Sequence, residues 1–464
     1  VTTPPRTLAV IGAGFSGVSL AAHLARLDWP NGLRVVLIER GPAPARGVAY
    51  STPRAIHLLN VPAGRMGALA DNEGDFLAWL RRVDPAVAGD EFVPRGIYGD
   101  YLTSILDALI ASPPPGFSVE IRSDEATDIE PRADGVRVSF ASGATLDADA
   151  AVLATGTPAP RGPQSVARVL GNDNRFIADP WAPGALDGLR TELPILVIGT
   201  GLTMVDVVLA LRESGHRGGF VAVSRRGILP QSHRDWPKPP PPIDLSEKLA
   251  GWDGTASALL SLLRDASHHA DLAGLDWRDV INGLRSRTPA LWARMPHRER
   301  ERFLRHVRPY WETHRHRMST RVATDVNALL FRGELAVLAG EIASCTVRDE
   351  AIDAHIRPRG KSSAETRRVG FIVNCTGPDC DYAKSDEPLF AALRARGLYA
   401  SDPLRMGLPG DAYGALLDAN GKPSRVLFTL GNPRKSDLWE STAVPELRAQ
   451  ASQLATYLHA GAHG

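Results

Sequence analysis

Three glycines, Gly12, Gly14 and Gly17, follow the apolar run Leu8–Ile11, and Glu39 stands 22 residues beyond the last of them. That spacing suits the cradling of a pyrophosphate. The first glycine makes a tight turn, the second lets phosphates approach the backbone, and the third lets the following helix lie close to its strand. The helix N-terminus adds a dipole that favours the phosphate charge. The stretch Gly12-Ala13-Gly14-Phe15-Ser16-Gly17 is therefore a candidate dinucleotide cradle, with Glu39 at the ribose and the adjoining Arg40 a further candidate cofactor contact. A second set, Gly199, Gly201, Leu202 and Thr203, follows Ile195–Ile198 but carries Met204 where the third glycine would be. Its helix must pack more loosely on its strand. After the next apolar run, Phe220–Val223, Ser224-Arg225-Arg226 replaces the acidic residue. A carboxylate would repel a ribose 2′-phosphate, whereas guanidinium groups bind one through charge-assisted hydrogen bonds. The second cradle thus reads as an NADPH site, unless both arginines are plain surface charge.

These residues need strands and helices to hold them. Strand, glycine turn, helix and strand make a βαβ unit, and the chain has two, Leu8 to Ile38 and Ile195 to Val223. Short alternating strands follow each. The first set is expected at about 118–121, 126–130, 136–140 and 145–153, ending in Ala154-Thr155-Gly156. The second is expected at about 335–338, 342–348, 352–357 and 369–374, ending in Cys375-Thr376-Gly377. The recurrence of a whole domain pattern is an internal repeat. Between the two halves of the second copy, Trp236-Pro237-Lys238 and Pro239–Pro242 read as a stiff connector. Residues of about 245–330 then read as a helical insertion over the second unit. Near the C-terminus, Thr429-Leu430-Gly431-Asn432 reads as a strand and turn, with Ser441 or Thr442 capping a helix that begins near Ala443.

Composition sets outer limits. The 464 residues suggest two to four domains. Net charge is +1, with 53 basic and 52 acidic residues, which gives no footprint for nucleic acid or an anionic membrane surface. The chain lacks an apolar stretch of about 18 residues, so a spanning helix is not expected. Three cysteines, Cys345, Cys375 and Cys380, form no CxxC pair and suit a reducing cytoplasm. Arg302, Arg305, Arg308, Arg315 and Arg317, with His306, His314 and His316, crowd the insertion. They are either a solvated helix face or a basic wall for phosphates or an acidic substrate. No metal site is expected, since His314 and His316 leave a helix in different directions.

Two such units, each closed by a Thr-Gly turn, resemble the two-dinucleotide-binding flavoproteins. The resemblance implies an α/β fold of two Rossmann-like domains, the first for FAD and the second for NADPH. Expected bounds are 1–190 for the first part of the FAD domain and 191–372 for the NADPH domain, with its insertion at about 244–330. Residues 373–464 would close the FAD domain. Dithiol reductases are disfavoured by the missing CxxC. Several stretches are similar to the NAD(P)/FAD-binding family that contains nitrosuccinate-forming L-aspartate N-monooxygenases. They are Arg46-Gly47-Val48-Ala49-Tyr50-Ser51, His57 to Met66, Pro94 to Leu102, Gly201 to Asp206, and Trp439 to Arg448. Phe176-Ile177-Ala178-Asp179-Pro180-Trp181 keeps only part of the fingerprint of Baeyer–Villiger monooxygenases.

That resemblance implies a cytoplasmic monooxygenase that N-oxidises a small amino acid, aspartate being favoured, with O2 activated as a flavin hydroperoxide. A flavin-dependent NADPH oxidoreductase without oxygen insertion is the alternative. In related ornithine and lysine hydroxylases, the loop after the first unit carries a polar and a basic residue beside the flavin. Asn60 and Arg65 hold those places here, Arg65 clamping a substrate carboxylate or pairing with an FAD phosphate or a surface acid. By the same analogy His233 and Arg234 would reach nicotinamide or substrate, with Arg305 in reserve. Met66, Thr155, Gly156, Thr376, Gly377, Gly431, Asn432, Thr442 and Ala443 would join the glycines, Glu39 and Arg40 around the cofactors. The partners implied are a small amine, O2 and the two cofactors, with self-association left open.

Overall fold

The computed structural model describes residues 5–171, 173–189, 192–234 and 242–461. The expected proline-rich connector lies outside them except for Pro242. Two sheets organise the chain. In the first, parallel strands run in the order 423–429, 150–153, 6–11, 33–39 and 117–123, and 415–417 joins antiparallel at one edge. Leu8 faces Val35 and Ile11 faces Ile38 across the central pair. The central strands are nearly unbroken apolar runs because both sheet faces are covered. Helices 15–24, 95–111 and 444–460 pack on one face, while a three-stranded antiparallel sheet (126–132, 135–140, 145–148) and helix 388–395 cover the other.

The second sheet has the order 365–369, 352–358, 335–347, 220–224, 195–198, 371–374 and 176–177. The fold is α/β with two dinucleotide-type domains, as expected. Its boundaries differ. Phe176–Ile177 pairs with Ile372 and Val373, so the second sheet begins before residue 191 and runs past 372.

Three strands also differ from expectation, each for a local reason. The stretch 145–153 splits at Asp149, whose amide donates to the Thr7 carbonyl and whose carboxylate accepts the Thr7 amide at 2.7 Å. Its two halves therefore serve two sheets. The stretch 369–374 breaks at Gly370, whose amide donates to the Pro194 carbonyl. By contrast, 335–347 is one strand that continues through a register shift between Ile342 and Ser344.

The insertion is helical as expected, with nine helical segments between Ser246 and Phe331. Its seat needs correction. Its apolar core, with Trp252, Leu263, Trp292, Phe303 and Trp311, also contains Met406 and Trp439 from the closing segment of the first domain. Trp292 stacks on Trp439 with centroids 5.0 Å apart, and its indole N–H donates to the Ser436 carbonyl. Only the last helix, 320–331, joins the second domain's core. The insertion therefore sits mainly against the first domain's closing segment. Aromatic residues distant in sequence supply that contact.

Candidate cofactor cradles and substrate seam

The first glycine turn is built as its spacing predicts. Gly12 has φ +106°, and a Cβ there would meet the Ala154 carbonyl oxygen at 2.3 Å. At Gly17 a Cβ would lie 2.2 Å from the Gly12 oxygen, so only glycine lets this helix approach its strand. Gly14 is different, since a Cβ there would meet only the Gly47 backbone, at 3.5 and 3.8 Å. Its open side faces a cavity of about 520 Å³, lined among others by Phe15, Ser16, Glu39, Arg40, Thr155, Gly156, Asn432 and Thr442. Glu39 braces the turn, accepting the Ala13 amide at 3.1 Å and the Gly41 amide at 2.8 Å. Each carboxylate oxygen keeps a lone pair for a ribose hydroxyl.

Ala13 and Met66 are buried in the core behind this wall. Gly431, at φ +86°, fits against the Ser16 hydroxyl, which a Cβ would approach to 2.6 Å. The Asn432 Oδ1 atom is buried without a hydrogen-bond partner. A buried acceptor left open beside a cavity fits a ligand that brings a donor. The wall also includes Trp181, Asp124 and Phe390, which sequence reasoning missed because they arrive from two separate loops and from helix 388–395.

The expected side-chain cap at the C-terminal helix is absent. Helix Val444–Ala460 starts from Ala443 with no capping side chain. Ser441 instead donates to the Gly431 carbonyl at 2.5 Å and accepts from Gln450 at 3.0 Å, and Thr442 is exposed at the cavity. The helix N-terminus therefore lies beside the cavity without a side-chain cap; Pro445 has no amide hydrogen, and the Glu446 and Leu447 amides donate to the Ala443 carbonyl.

In the second unit, Gly199 has φ +112°, and a Cβ would meet the Cys375 oxygen at 2.3 Å, whereas Gly201 has open space. Met204 is fully buried in the second domain's core, and Leu202 and Thr203 open the helix. Ser224 ties the turn internally, bonding Thr200 Oγ1 at 2.8 Å and accepting the Gly227 amide. Arg225 is exposed, and Arg226 lies 5.5 Å over the Tyr310 ring of the insertion. Thr376 donates to Asn374 at 2.8 Å, and Gly377 turns the chain at φ +86°.

The substrate candidates separate. Nε2–H of His233 donates to the Asn60 carbonyl at 3.1 Å, joining the second domain's post-strand segment to the loop after the first cradle. Burial, then the Arg317 charge, pushes His233 down to about 4. Arg65 is exposed, and its carbonyl accepts from Arg448. Arg234 is not poised for substrate, because it bridges Asp276 at 2.9 Å and Asp279 at 2.8 Å, the capping carboxylates of helix 277–284. Arg305 and His306 are exposed. The arginine-rich run is nevertheless not one solvated face. Arg315 and Arg317 are buried, Arg315 lying 3.2 Å from Glu446 and 3.5 Å from Glu440. No cluster of potential metal ligands occurs among the described residues.

A further cluster was not anticipated, although its members lie in recognised stretches. Asp206 pairs with Arg95 at 2.8 Å, and its carbonyl accepts from His57 Nε2. His57 and Arg95 also pack on Trp181. This polar lock fastens the second domain's first helix to the first domain.

Residues 9–158 match a family described as FAD-NAD(P)-binding. No curated protein sequence matches the chain. Among solved structures, the reduced ornithine hydroxylase of Pseudomonas aeruginosa aligns over 98% of this chain and 99% of its own, with 16% identity and a TM-score of 0.65. The ornithine N-hydroxylase of Kutzneria sp. 744, solved with reduced FAD, NADP+ and L-ornithine, aligns over 99% and 100%, with 14% identity and a TM-score of 0.66. The L-lysine 6-monooxygenase of Pseudomonas syringae aligns over 98% and 99%, with 16% identity and a TM-score of 0.64. At such identities the likeness is one of fold.

Proposed function

We propose that the chain is an FAD- and NADPH-dependent monooxygenase that N-oxidises the amine of a small amino acid with an acidic side chain, aspartate being the favoured substrate. The observation that carries this reading is the pair of open glycine cradles, the first at a large cavity and the second at two arginines. The full-length likeness to amine hydroxylases supports the same reaction class. The residues present fit FAD: Gly14 leaves the space that a Cβ would fill, and Asn432 offers a buried acceptor with no protein donor. Bound FAD, reduced by NADPH, would supply the oxygen activation.

The chain's own residues do the rest. Gly14 and the start of helix 15–24 receive the pyrophosphate. Arg225 and Arg226 read the 2′-phosphate, with Tyr310 holding one guanidinium in place. The uncapped N-terminus of helix 444–460 lends a positive end to the cavity, where negative charge on a reduced ring would be stabilised. The substrate amine must be neutral to attack oxygen. A histidine pushed to about 4 is a poor base at neutral pH, so His233 positions the Asn60 loop rather than taking that proton. Arg65 is the exposed cation on this loop and is assigned to a substrate carboxylate.

Oxygen uptake matched to hydroxylated product across a panel of amines tests the reading. Aspartate should give N-oxygenated product, with Arg65→Ala losing coupled turnover while NADPH-driven flavin reduction persists. Peroxide alone from every amine would favour an NADPH oxidoreductase without oxygen insertion.

A further inference from the structure

Arg317 is buried, at 5% exposure, where the insertion returns to the second domain. Its neighbour Met318 bridges Ser232 and accepts the His233 amide, so Arg317 lies beside the seam that His233 makes with the Asn60 loop. Nη2 donates to Asn282 Oδ1 at 2.5 Å, and Nε has no partner. The carboxylates facing it, Asp276 and Asp279, are already engaged by Arg234 and Arg278. Next door, Arg285 and Arg315 are matched by Glu440 and Glu446. Among the described residues, one guanidinium therefore remains without a counter-ion.

Burying an unpaired charge is costly unless something compensates it. Burial, followed by the charges of Arg315 and Arg278, pulls Arg317 down only to about 10, so it stays charged at neutral pH. We infer that Arg317, oriented by Asn282, is an anion-binding subsite for a carboxylate of the substrate, an inference that rests on the acidic-substrate reading above. A planar guanidinium with unused N–H groups suits a planar carboxylate. The position separates this group from the dinucleotide phosphates. Tyr310, which supports Arg226, is seven residues away along helix 308–315 and its exit, roughly 10 Å at helical rise, whereas His233 lies close enough to feel the Arg317 charge and is itself bonded to the Asn60 carbonyl.

The test uses the full chain loaded with FAD, with succinate as an amine-free dicarboxylate and succinamide as its uncharged analogue. Succinate should perturb the flavin absorbance and raise the melting temperature of the wild type saturably, and succinamide should do neither. Arg317→Gln should weaken succinate binding by about tenfold or more, the loss of a hydrogen-bonded charge. Arg317→Lys should fall between the two, and Asn282→Ala should weaken succinate binding less. NADP+ affinity should be unchanged in all three. Without succinate, Arg317→Gln should melt no lower than wild type, because it removes an uncompensated charge; a purely structural arginine would lower the melting point. Equal succinate affinity in wild type and Arg317→Gln, or a loss confined to NADP+, overturns the inference. Because binding is read without turnover, a protein that binds succinate through Arg317 yet oxidises no amine would overturn the N-oxidation reading and leave the subsite standing.

Discussion

At the residue scale, the glycines of one turn do separable work. Gly17 is a packing glycine, since a Cβ would sit 2.2 Å from the Gly12 oxygen, whereas a Cβ at Gly14 would meet nothing nearer than 3.5 Å, the space proposed above for the ligand. Gly17→Ala should lower stability by about 1–3 kcal/mol through overpacking. Gly14→Val should leave the denaturation midpoint nearly unchanged while FAD binding is lost. Urea titration of the apoprotein alongside flavin retention on a desalting column separates the two outcomes. His233 gives a pH signature. Its pKa is depressed from 6.5 to about 4, so the native state binds fewer protons than the unfolded chain. Its contribution to stability is complete above pH 6.5 and is lost as pH falls toward 4. His233→Asn should flatten the decline in unfolding free energy across that window, measured at matched ionic strength.

At the element scale, the uncapped helix 444–460 invites a direct experiment. Ala443→Asp supplies an N-cap side chain, which should stabilise the fold by about 0.5–2 kcal/mol. It also sets a negative charge at the cavity, so flavin reduction by NADPH should slow and the bound flavin's potential should fall. Stopped-flow reduction with a parallel thermal melt reads both effects. Elements with local signals were legible in the sequence. Both βαβ units follow from apolar runs and glycine spacing, and the open sides of Gly14 and Gly201 follow from their motif positions. What escaped depended on distant partners. The break at Asp149 comes from a hydrogen bond to Thr7, and that at Gly370 from one to Pro194. Arg234 looked available because its carboxylates lie more than 40 residues on, and the insertion's seat depends on Trp292 meeting Trp439.

At the scale of the whole molecule, a small polar lock is one of the contacts that orient the two domains. Asp206 and Arg95 are 11% and 16% exposed at their side chains, and removing one partner leaves a mostly buried charge. Asp206→Ala should cost about 2–4 kcal/mol, seen as a lower urea midpoint. A change in Trp181 fluorescence should accompany it, since Arg95 and His57 both rest on that indole. The first sheet has a consequence for biosynthesis. Its strand 150–153 lies between 6–11 and 423–429, while every strand of the second sheet falls between 176 and 374. A ribosome therefore releases all of the second sheet before the first can close. Until the last part of the chain emerges, Ala150–Leu153 presents a bare edge ready to pair with another chain. A product truncated near residue 400 keeps that edge permanently, and with it a route to aggregation during translation.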